Sequence, residues 1–197
     1  MKQLLSVVII THNEENNLRD CLASICDFAN EIVIVDSRST DRTQAIAREF
    51  GAVIQVTEDW PGFGVQKNRA VLKAKNDWVL SIDADERVTP ELALEISNLL
   101  QIQPKHQSYE IPRSSWYCGR FMSHSGWYPD HVLRLFNRRT AKFSMDLVHE
   151  RVLSSGAVGQ LNSPLLHYSF QDFSHVLTKM DRYSSASAEQ LYLLGKN

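Results

Sequence analysis

Apolar runs alternate with amphipathic stretches through the first hundred residues of this chain. Four runs predict buried strands: LLSVVII, EIVIVD, AVIQVT and DWVLSID. The stretches that follow them place apolar residues at helical spacing, as in NNLRDCLASICDF and TPELALEISNLL. Strands that alternate with helices require right-handed crossovers, which favour an α/β fold with a mostly parallel central sheet and helices on both faces.

Signals at the helix ends support these assignments. TPELALEISNLL has Thr89 as its N-cap and Pro90 at its first helical position. STDRTQAIAREFG has Ser39 or Thr40 as a cap near its start and Gly51 as its stop. GFGVQKNRAVLKA predicts a loop that runs into another helix, and its glycines suit a tight loop that closely approaches its neighbours.

Polar residues follow each of the strands at the edge where ligands of parallel sheets bind. THNEE follows the first strand, DSRSTD ends the second, and DADE ends the fourth. The loop after the third strand adds glycines, a lysine and an asparagine. Ligands of open α/β sheets bind beyond the carboxyl ends of the strands, so the sequence indicates a site of nucleotide size there.

Asp83 and Asp85 lie two residues apart, and alternation along a strand places such residues on the same side. Carboxylates suit hard cations such as Mg²⁺ or Mn²⁺, which then also bind phosphate oxygens. The alternative is that the two acids only favour the start of the next helix, an effect of ~0.3–1 kcal/mol. The other polar strand ends favour the metal site.

Asp36 and Lys67 are further candidates in the first half. Asp36 directly follows IVIV and can accept a hydrogen bond from a base or a ribose, with helix capping as the alternative. Lys67 has the charge to meet a phosphate or a base, and the alternative is a solvated helix residue. PGFG is not a phosphate-binding P-loop, because no Gly-Lys followed by Ser or Thr comes after it.

The pattern changes after about residue 103, where SYEIPRSSWY, HVLRLFNRR and AKFSMDLVHERVL predict strands joined by loops. GWYPDHVLRLFNRR contributes Asp130 and Arg134, and LVHERV contributes His149 and Glu150. His149 can complete a metal shell or contact a diphosphate, and Glu150 can act as a general base. The alternative for each of them is a satisfied polar residue at the surface.

We expect a single domain, residues 1–197, because no repeat or low-complexity linker divides the chain. Within it, residues 1–103 form a nucleotide-binding half and residues 104–170 an acceptor and catalytic half. Residues 171–197 predict a C-terminal helix whose last apolar side chains lack an evident partner. We therefore expect the natural protein to continue beyond Asn197.

Composition excludes several classes of function. The net charge of −2 provides no general basic surface for nucleic acid. Three cysteines are too few for a disulfide framework, which fits a reducing compartment. No run is long enough to span a membrane. The N-terminal MKQLLSVVII predicts a buried strand and not a signal peptide, because THNEE follows where a cleavage site should be.

The segments VVIITHNEE, IVIVDSRSTDRT, GFGVQKNRA and LSIDADE, in this order, resemble family-2 glycosyltransferases of the GT-A fold. GWYPDHVLRLFNRR and LVHERV resemble the subgroup of lipopolysaccharide core β-1,4-glucosyltransferases. The resemblance implies a UDP-sugar donor, Mg²⁺ or Mn²⁺, and inversion at the anomeric carbon. The subgroup implies glucose transfer to an inner-core heptose of lipopolysaccharide, in the cytoplasm at the inner face of the bacterial inner membrane.

The resemblance also assigns roles to individual residues. The nucleotide-binding residues are Thr11, His12, Glu14, Asp36, Lys67 and Asp83, with Asp83 on the ribose; Arg134 and His149 bind the diphosphate; Asp85 and His149 bind the metal; Glu150 is the catalytic base, with Asp130 as runner-up. Three positions depart from many relatives. His12 replaces an aromatic residue, Ser37 replaces a second acid, and His149-Glu150 replaces a Glu-Asp pair.

Other functions stay open at this point. The same fold could serve another cell-surface polysaccharide or a protein acceptor. A haloacid-dehalogenase-type phosphatase would use Asp83 as nucleophile and Asp85 as general acid, but Arg87 stands where that family has Thr. A sugar nucleotidyltransferase would need an N-terminal Gly-rich, basic loop, which is missing here. A non-enzymatic module would bind a UDP-sugar without turnover.

A lipid-anchored acceptor implies peripheral attachment to the membrane surface. Arg134, Arg138 and Arg139 provide a basic stretch, worth ~1 kcal/mol per charge near an anionic surface. The C-terminal helix could add an apolar stripe, and the alternative is that this stripe packs as core. The stripe consists of Phe173, Val176, Leu177, Met180 and Tyr183.

Overall fold

The computed structural model describes residues 2–146 and 150–170, together with positions 173, 176, 177, 180, 181 and 184. In the first half, the elements are β1 (Leu5–Thr11), α1 (Leu18–Ala23), β2 (Glu31–Asp36), α2 (Thr43–Glu49), β3 (Val53–Val56), α3 (Phe63–Lys73), β4 (Trp78–Ser81), β5 (Glu86–Val88) and α4 (Pro90–Gln101). In the second half, they are β6 (Ser108–Tyr117), β7 (Arg120–Phe121), β8 (Asp130–Asn137), β9 (Ala141–Phe143), β10 (Val152–Ser154), β11 (Gly159–Gln160) and β12 (Leu165–Phe170).

The strands and helices predicted for residues 1–103 are confirmed, with β5 as an addition. Thr89 caps α4 as predicted, because its Oγ1 accepts the backbone N–H of Leu92 at 3.1 Å. The predicted cap of α2 is wrong. That helix begins at Thr43 without a side-chain cap, and the Ser39 hydroxyl donates instead to Asp36.

One large sheet runs through both halves in the order β3-β2-β1-β4-β8-β6-β12-β5. The pairs β1–β2, β2–β3 and β1–β4 are parallel, as predicted for the first half. β8 lies antiparallel between β4 and β6, β12 is parallel to β6, and β5 returns antiparallel against β12. The second half therefore adds antiparallel strands to the parallel strands of the first half.

Alternate residues of the strands pack on opposite faces of the sheet, and each face carries helices. Val7 and Ile9 lie in a core with the apolar residues of α1, α2 and α4. Val8 lies in a second core with Val71 of α3 and Phe136 of β8. Helices on both faces are thus confirmed.

The face that α3 covers continues across β8, β6 and β12, where it becomes polar. Arg134 is two residues before Phe136 on β8 and therefore faces the same side. The strand registers place Asp130 beside Arg113, and His167 beside both Ser115 and Glu86. The sheet thereby carries a row of ionisable side chains next to the end of β4.

The predicted C-terminal helix lies largely outside the described residues, as does Tyr183. At the described positions the chain is helical, with Val176 buried and Phe173, Leu177 and Met180 exposed. Within the part of the chain that the structure covers, no helix has the length and apolar character needed to cross a membrane.

Candidate active site

Asp36 organises the loops at the ends of β1 and β2. Its carboxylate accepts hydrogen bonds from Thr11 Oγ1 at 2.8 Å, from the Ser39 N–H at 2.9 Å and from Gln44 Nε2 at 2.8 Å, and its side chain is fully buried. Thr11 and Asp36 are direct neighbours in the sheet register. Thr11 and Asp36, which were both predicted to bind the nucleotide, therefore lie together at the sheet edge. A nucleotide contact by Asp36 would have to replace one of its hydrogen bonds.

His12 and Glu14 belong to the same loop as Thr11. His12 Nδ1 donates to the backbone oxygen of Ser37 at 2.7 Å, and Glu14 Oε2 accepts from Asn17 at 3.0 Å. His12 is exposed, so its ring is accessible at the edge of the site. The structure thus brings the predicted nucleotide residues of β1 and β2 together.

Asp83 is held by cations from two distant elements. Its Oδ1 lies 2.9 Å from Lys67 Nζ of α3, and its Oδ2 lies 2.6 Å from Arg134 Nη2 of β8. Burial raises the pKa of Asp83, but Arg134 and Lys67 outweigh burial and hold that pKa well below its ordinary value. Asp83 is therefore an ionised carboxylate that two cations already neutralise.

Asp85 has different surroundings, although it lies only two residues away. Its Oδ2 is 3.4 Å from His167 Nε2, and its backbone oxygen accepts the N–H of Tyr168 at 2.8 Å. The topology of β12, which pairs with both β5 and β6, delivers His167 to this position. Sequence reasoning missed His167, because its strand pairing has no local signal in the sequence.

The surroundings of Asp85 fit a divalent cation that takes some of its ligands from the substrate. Mg²⁺ and Mn²⁺ are commonly held by one or two carboxylates, with waters and substrate phosphates completing the shell. Asp85 offers such a carboxylate, and the described residues contain no group of three or more His, Cys, Asp or Glu arranged to hold a metal by themselves. His149, the other predicted ligand and diphosphate contact, lies outside the described residues.

Alternating acids and cations connect the two candidate bases. We call this series the charge chain. Its members are, in order, Glu150, Lys67, Asp83, Arg134, Glu86, Arg113 and Asp130.

Five of the six contacts along the charge chain are 2.9 Å or shorter. Lys67 Nζ lies 2.7 Å from Glu150 Oε1, and Arg134 Nη2 lies 2.6 Å from Glu86 Oε1. Arg113 Nη2 lies 2.6 Å from Asp130 Oδ2, and its other terminal nitrogen lies 3.9 Å from Glu86.

Glu86 is the central acid of the charge chain and was not singled out from the sequence. Its side chain is fully buried, and its Oε2 accepts the backbone N–H of Asp83 at 2.8 Å while its Oε1 holds Arg134. Glu86 thereby fixes both the Asp83 backbone and the cation that neutralises the Asp83 side chain. The sequence carried a signal, because Glu86 directly follows the two aspartates in DADE.

Lys67 is deeply buried between its two acids. Burial lowers the pKa of Lys67, but the carboxylates of Asp83 and Glu150 outweigh burial and raise that pKa above its ordinary value. Arg134 is also buried, so it cannot meet a membrane surface, and its part in the predicted basic stretch is wrong. Its Nε has no hydrogen-bond partner among the described residues.

Helix α3 docks onto the segment that carries Glu150. A Cβ on Gly64 would lie 2.0 Å from the Ser144 backbone oxygen and 3.5 Å from Glu150 Cβ, so only glycine permits this approach. Asn68 binds both backbone groups of Phe143, donating to its oxygen at 3.0 Å and accepting its N–H at 2.9 Å. The predicted close approach is thus confirmed at Gly64, but its placement in a loop is wrong, because α3 begins at Phe63.

The two candidate bases differ in exposure. The Glu150 side chain is 15% exposed and contacts Lys67, whereas the Asp130 side chain is 39% exposed and accepts two hydrogen bonds from Arg113. Trp127 packs edge-on against Tyr117 just before Asp130, with ring centroids 5.4 Å apart. Both acids lie on the charge chain, so the structure brings each of them into the same network as Asp83.

Comparisons of sequence place this chain among glycosyltransferases. The profile of the family described as Glycosyl transferase family 2 matches residues 6–156. An uncharacterized glycosyltransferase of Rickettsia typhi is 32% identical over 98% of this chain and 69% of its own length. The lipopolysaccharide core biosynthesis glycosyltransferase LpsC of Rhizobium meliloti is 32% identical over 98% of this chain and 73% of its own length.

Comparisons of structure agree with the predicted fold. TarS of S. aureus (residues 1–349) matches with a TM-score of 0.61 at 18% identity, over 84% of this chain and 60% of that structure. Glucosyl-3-phosphoglycerate synthase of Mycobacterium tuberculosis, in complex with Mn²⁺, UDP and glucosyl-3-phosphoglycerate, matches with a TM-score of 0.59 at 19% identity, over 84% of this chain and 72% of that structure. The GT-A fold is thereby confirmed.

Proposed function

Since this chain belongs to glycosyl transferase family 2, we propose that it transfers glucose from UDP-glucose to a hydroxyl group of a lipopolysaccharide inner-core heptose. The observation that carries the proposal is the contact of Lys67 with both Asp83 and Glu150, at 2.9 and 2.7 Å. It joins a carboxylate of the predicted donor site to a carboxylate suited to deprotonate an acceptor. A transfer between two bound substrates requires such a connection between the donor site and the base that acts on the acceptor.

The donor would lie along the carboxyl ends of β1, β2 and β4. Thr11, His12 and Glu14 would line the uridine site, and Asp36 holds the loops after β1 and β2 together through Thr11 and Ser39. Asp83 would contact the ribose, and Asp85 would hold a divalent cation. That cation, when bound, supplies positive charge against the departing diphosphate. Support comes from the Mycobacterium tuberculosis structure, which is described as a complex with Mn²⁺ and UDP.

Glu150 would act as the general base. An acceptor hydroxyl attacks the anomeric carbon from the face opposite the diphosphate and inverts that carbon, while an oxygen of Glu150 takes the hydroxyl proton. General-base help of this kind typically contributes ~10²–10⁴-fold. Asp130 is the alternative base, because it lies at the other end of the charge chain and is more exposed.

The acceptor would be a lipopolysaccharide. The relative LpsC, which is named for lipopolysaccharide core biosynthesis, supports a lipopolysaccharide acceptor. An acceptor anchored in lipid requires work at the inner surface of the bacterial inner membrane. Peripheral attachment would use the exposed Phe173, Leu177 and Met180.

The donor and metal roles are tested by binding. We expect UDP to bind in the presence of Mn²⁺ and to bind more weakly in EDTA, as measured by calorimetry. Asp85→Ala should show the same weak binding with and without Mn²⁺, while its thermal unfolding stays cooperative. Equal affinity of the wild-type protein for UDP in EDTA and in Mn²⁺ would count against the metal site.

The catalytic role is tested by turnover. Glu150→Gln should retain UDP-glucose binding and lose transfer to a heptose-containing acceptor by about 10²-fold or more. Glu49→Gln is the matched control, because Glu49 is a half-exposed acid on α2 that pairs with Arg19 at the surface. Near-normal transfer by Glu150→Gln would eliminate Glu150 as the base, and the same test of Asp130→Asn would then decide on Asp130.

A further inference from the structure

One buried ammonium group joins the two halves of the candidate site. Lys67 lies on α3, Asp83 follows β4, and Glu150 lies between β9 and β10. The Lys67 side chain is only 4% exposed, and its Nζ lies within 3 Å of a carboxylate from each half. A lysine has three N–H donors, so one ammonium can serve both acids at once.

The contact between Lys67 and Glu150 rests on a docked helix. Gly64, one turn before Lys67, touches the Ser144 backbone, and Asn68 binds both backbone groups of Phe143. The Lys67 ammonium also lies 5.5 Å from the centre of the Phe143 ring. These three contacts fix α3 against the segment of Glu150, so the position of Lys67 relative to Glu150 is built into the fold.

We propose that Lys67 couples donor binding to the catalytic base: it holds Glu150 while the donor site is empty and turns to the donor's diphosphate when the UDP-sugar binds. The inference rests on the proposed function and deepens it. A diphosphate that arrives beside Asp83 and Asp85 adds negative charge within reach of the Lys67 ammonium. Charges that are buried together are poorly screened by salt, so the new anion competes directly with Glu150 for Lys67.

In the reaction, the base would become available only after the donor has bound. Once Lys67 turns away, the Glu150 oxygen that the ammonium had occupied is free to meet the acceptor hydroxyl. Glu150 is then released to act when a donor is present. In the transfer step the bond from the anomeric carbon to the diphosphate oxygen breaks, the bond to the acceptor oxygen forms, and the acceptor proton moves to Glu150.

Coupling between two sites is reciprocal, and this gives a measurable sign. If a bound diphosphate draws Lys67 away from Glu150, then the Lys67–Glu150 contact opposes diphosphate binding. Removal of the Glu150 charge must then strengthen diphosphate binding by the same factor by which bound diphosphate weakens that contact. Factors of about 5-fold to 150-fold are typical of such coupling. A substitution of the catalytic base is therefore expected to improve the affinity for UDP.

The test is a double-mutant cycle on UDP affinity, measured by calorimetry with Mn²⁺. Glu150→Gln should tighten UDP binding by about five-fold or more. Lys67→Met should weaken UDP binding, and Glu150→Gln should add little in the Lys67→Met background. Tightening of equal size in both backgrounds, or no tightening in the wild-type background, would overturn the role of Lys67.

Two further variants separate a coupling role from a merely structural one. Lys73→Met makes the same change at an exposed position of α3 and should leave UDP affinity and turnover unchanged. Lys67→Arg keeps the charge and should restore part of the coupling. Where Lys67→Met alone does not fold, the double variant removes both members of the pair, and its affinity compared with that of Glu150→Gln gives the Lys67 contribution.

The outcomes distinguish this inference from the proposed function. A protein that binds UDP with the expected coupling but transfers no sugar overturns the proposed function and leaves the coupling in place. A protein that transfers sugar without coupling in the cycle overturns this inference alone. A wild-type protein that binds no UDP overturns both.

Discussion

Replacement of Gly64 by alanine should separate the catalytic geometry from the stability of the helix. Alanine normally stabilises a helix interior by about 1 kcal/mol relative to glycine. At this position, however, the added Cβ would lie 2.0 Å from the Ser144 backbone oxygen. The added atom meets backbone, which cannot rotate away as the end of a side chain would.

The size of the displacement follows from the contact distance. Ordinary contact begins at 3.4 Å, so the two backbones must separate by the difference from 2.0 Å, about 1.4 Å. Overpacking of this kind costs about 1–3 kcal/mol, which the helix preference for alanine partly offsets. The net loss of unfolding free energy should therefore be small, about 0–2 kcal/mol.

Catalysis should suffer much more than stability, because the displaced segment carries Glu150. A shift of more than 1 Å would break its 2.7 Å contact with Lys67 and misplace the proposed base. Misplacements of about 1 Å can cost 10²-fold in rate. We therefore expect Gly64→Ala to lower the turnover number by about 10²-fold. Because Lys67 is then freed from Glu150, UDP affinity should rise and not fall.

The assay combines steady-state transfer from UDP-glucose, UDP calorimetry and chemical denaturation of the same preparations. Leu72→Ala, at a position of α3 that is 78% exposed, is the control for changes in the helix itself. Normal turnover of Gly64→Ala would refute the argument that α3 positions the base. A loss of UDP affinity equal to the loss of turnover would show that the helix instead shapes the donor site.

Three further predictions concern the charge chain and the surface. Glu86→Gln should lower the free energy of unfolding by about 3–5 kcal/mol in urea, because it takes the fully buried carboxylate of Glu86 away from the buried Arg134; Glu110→Gln, at a partly exposed position, should change it little. The raised pKa of Lys67 means that its ion pairs stabilise the fold fully below the pKa of an unfolded lysine, about 10.4, and that this contribution is lost as pH rises through the folded pKa. Above about pH 10.5, the thermal unfolding temperature should therefore fall more steeply with pH for the wild-type protein than for Lys67→Met. Parallel curves of unfolding temperature against pH would contradict the pairing. Flotation with anionic liposomes should be reduced by Leu177→Ser, which removes an exposed apolar side chain, and unchanged flotation would count against attachment through this helix.

The fold of residues 1–103 was predictable because its signals are local. Strand period, helix period and cap residues such as Thr89 all lie within a few residues of the elements that they define. The error at Ser39 has a physical cause. Its hydroxyl had two possible partners, the start of α2 and the carboxylate of Asp36, and the tertiary contact with Asp36 was the one formed.

The different surroundings of Asp83 and Asp85 were not predictable from their spacing. Their spacing alone placed both residues on one side of a strand, and only the resemblance gave them different roles. The strand placement is wrong, because β4 ends at Ser81 and both aspartates lie in the loop that follows it. The cations that make them different come from α3 and from β8, and Arg134 is 51 positions away along the chain. Local sequence does not encode which of these elements pack together, so the pairing of Asp83 and the position of His167 became visible only in the folded structure.

The charge balance of the site gives a physical reason to expect a cation. The charge chain contains four acids and three cations and thus carries a net charge of −1 when all its members are ionised. Asp85 lies outside this chain and contributes a further negative charge. A donor diphosphate therefore approaches a region whose own cations are already engaged, and two negative groups repel at short range. One divalent cation on Asp85 would balance the net negative charge of the charge chain and Asp85 together. The diphosphate would then contact both that cation and the Lys67 ammonium released from Glu150. Metal binding and the release of the base would thus depend on the same arrangement of charges.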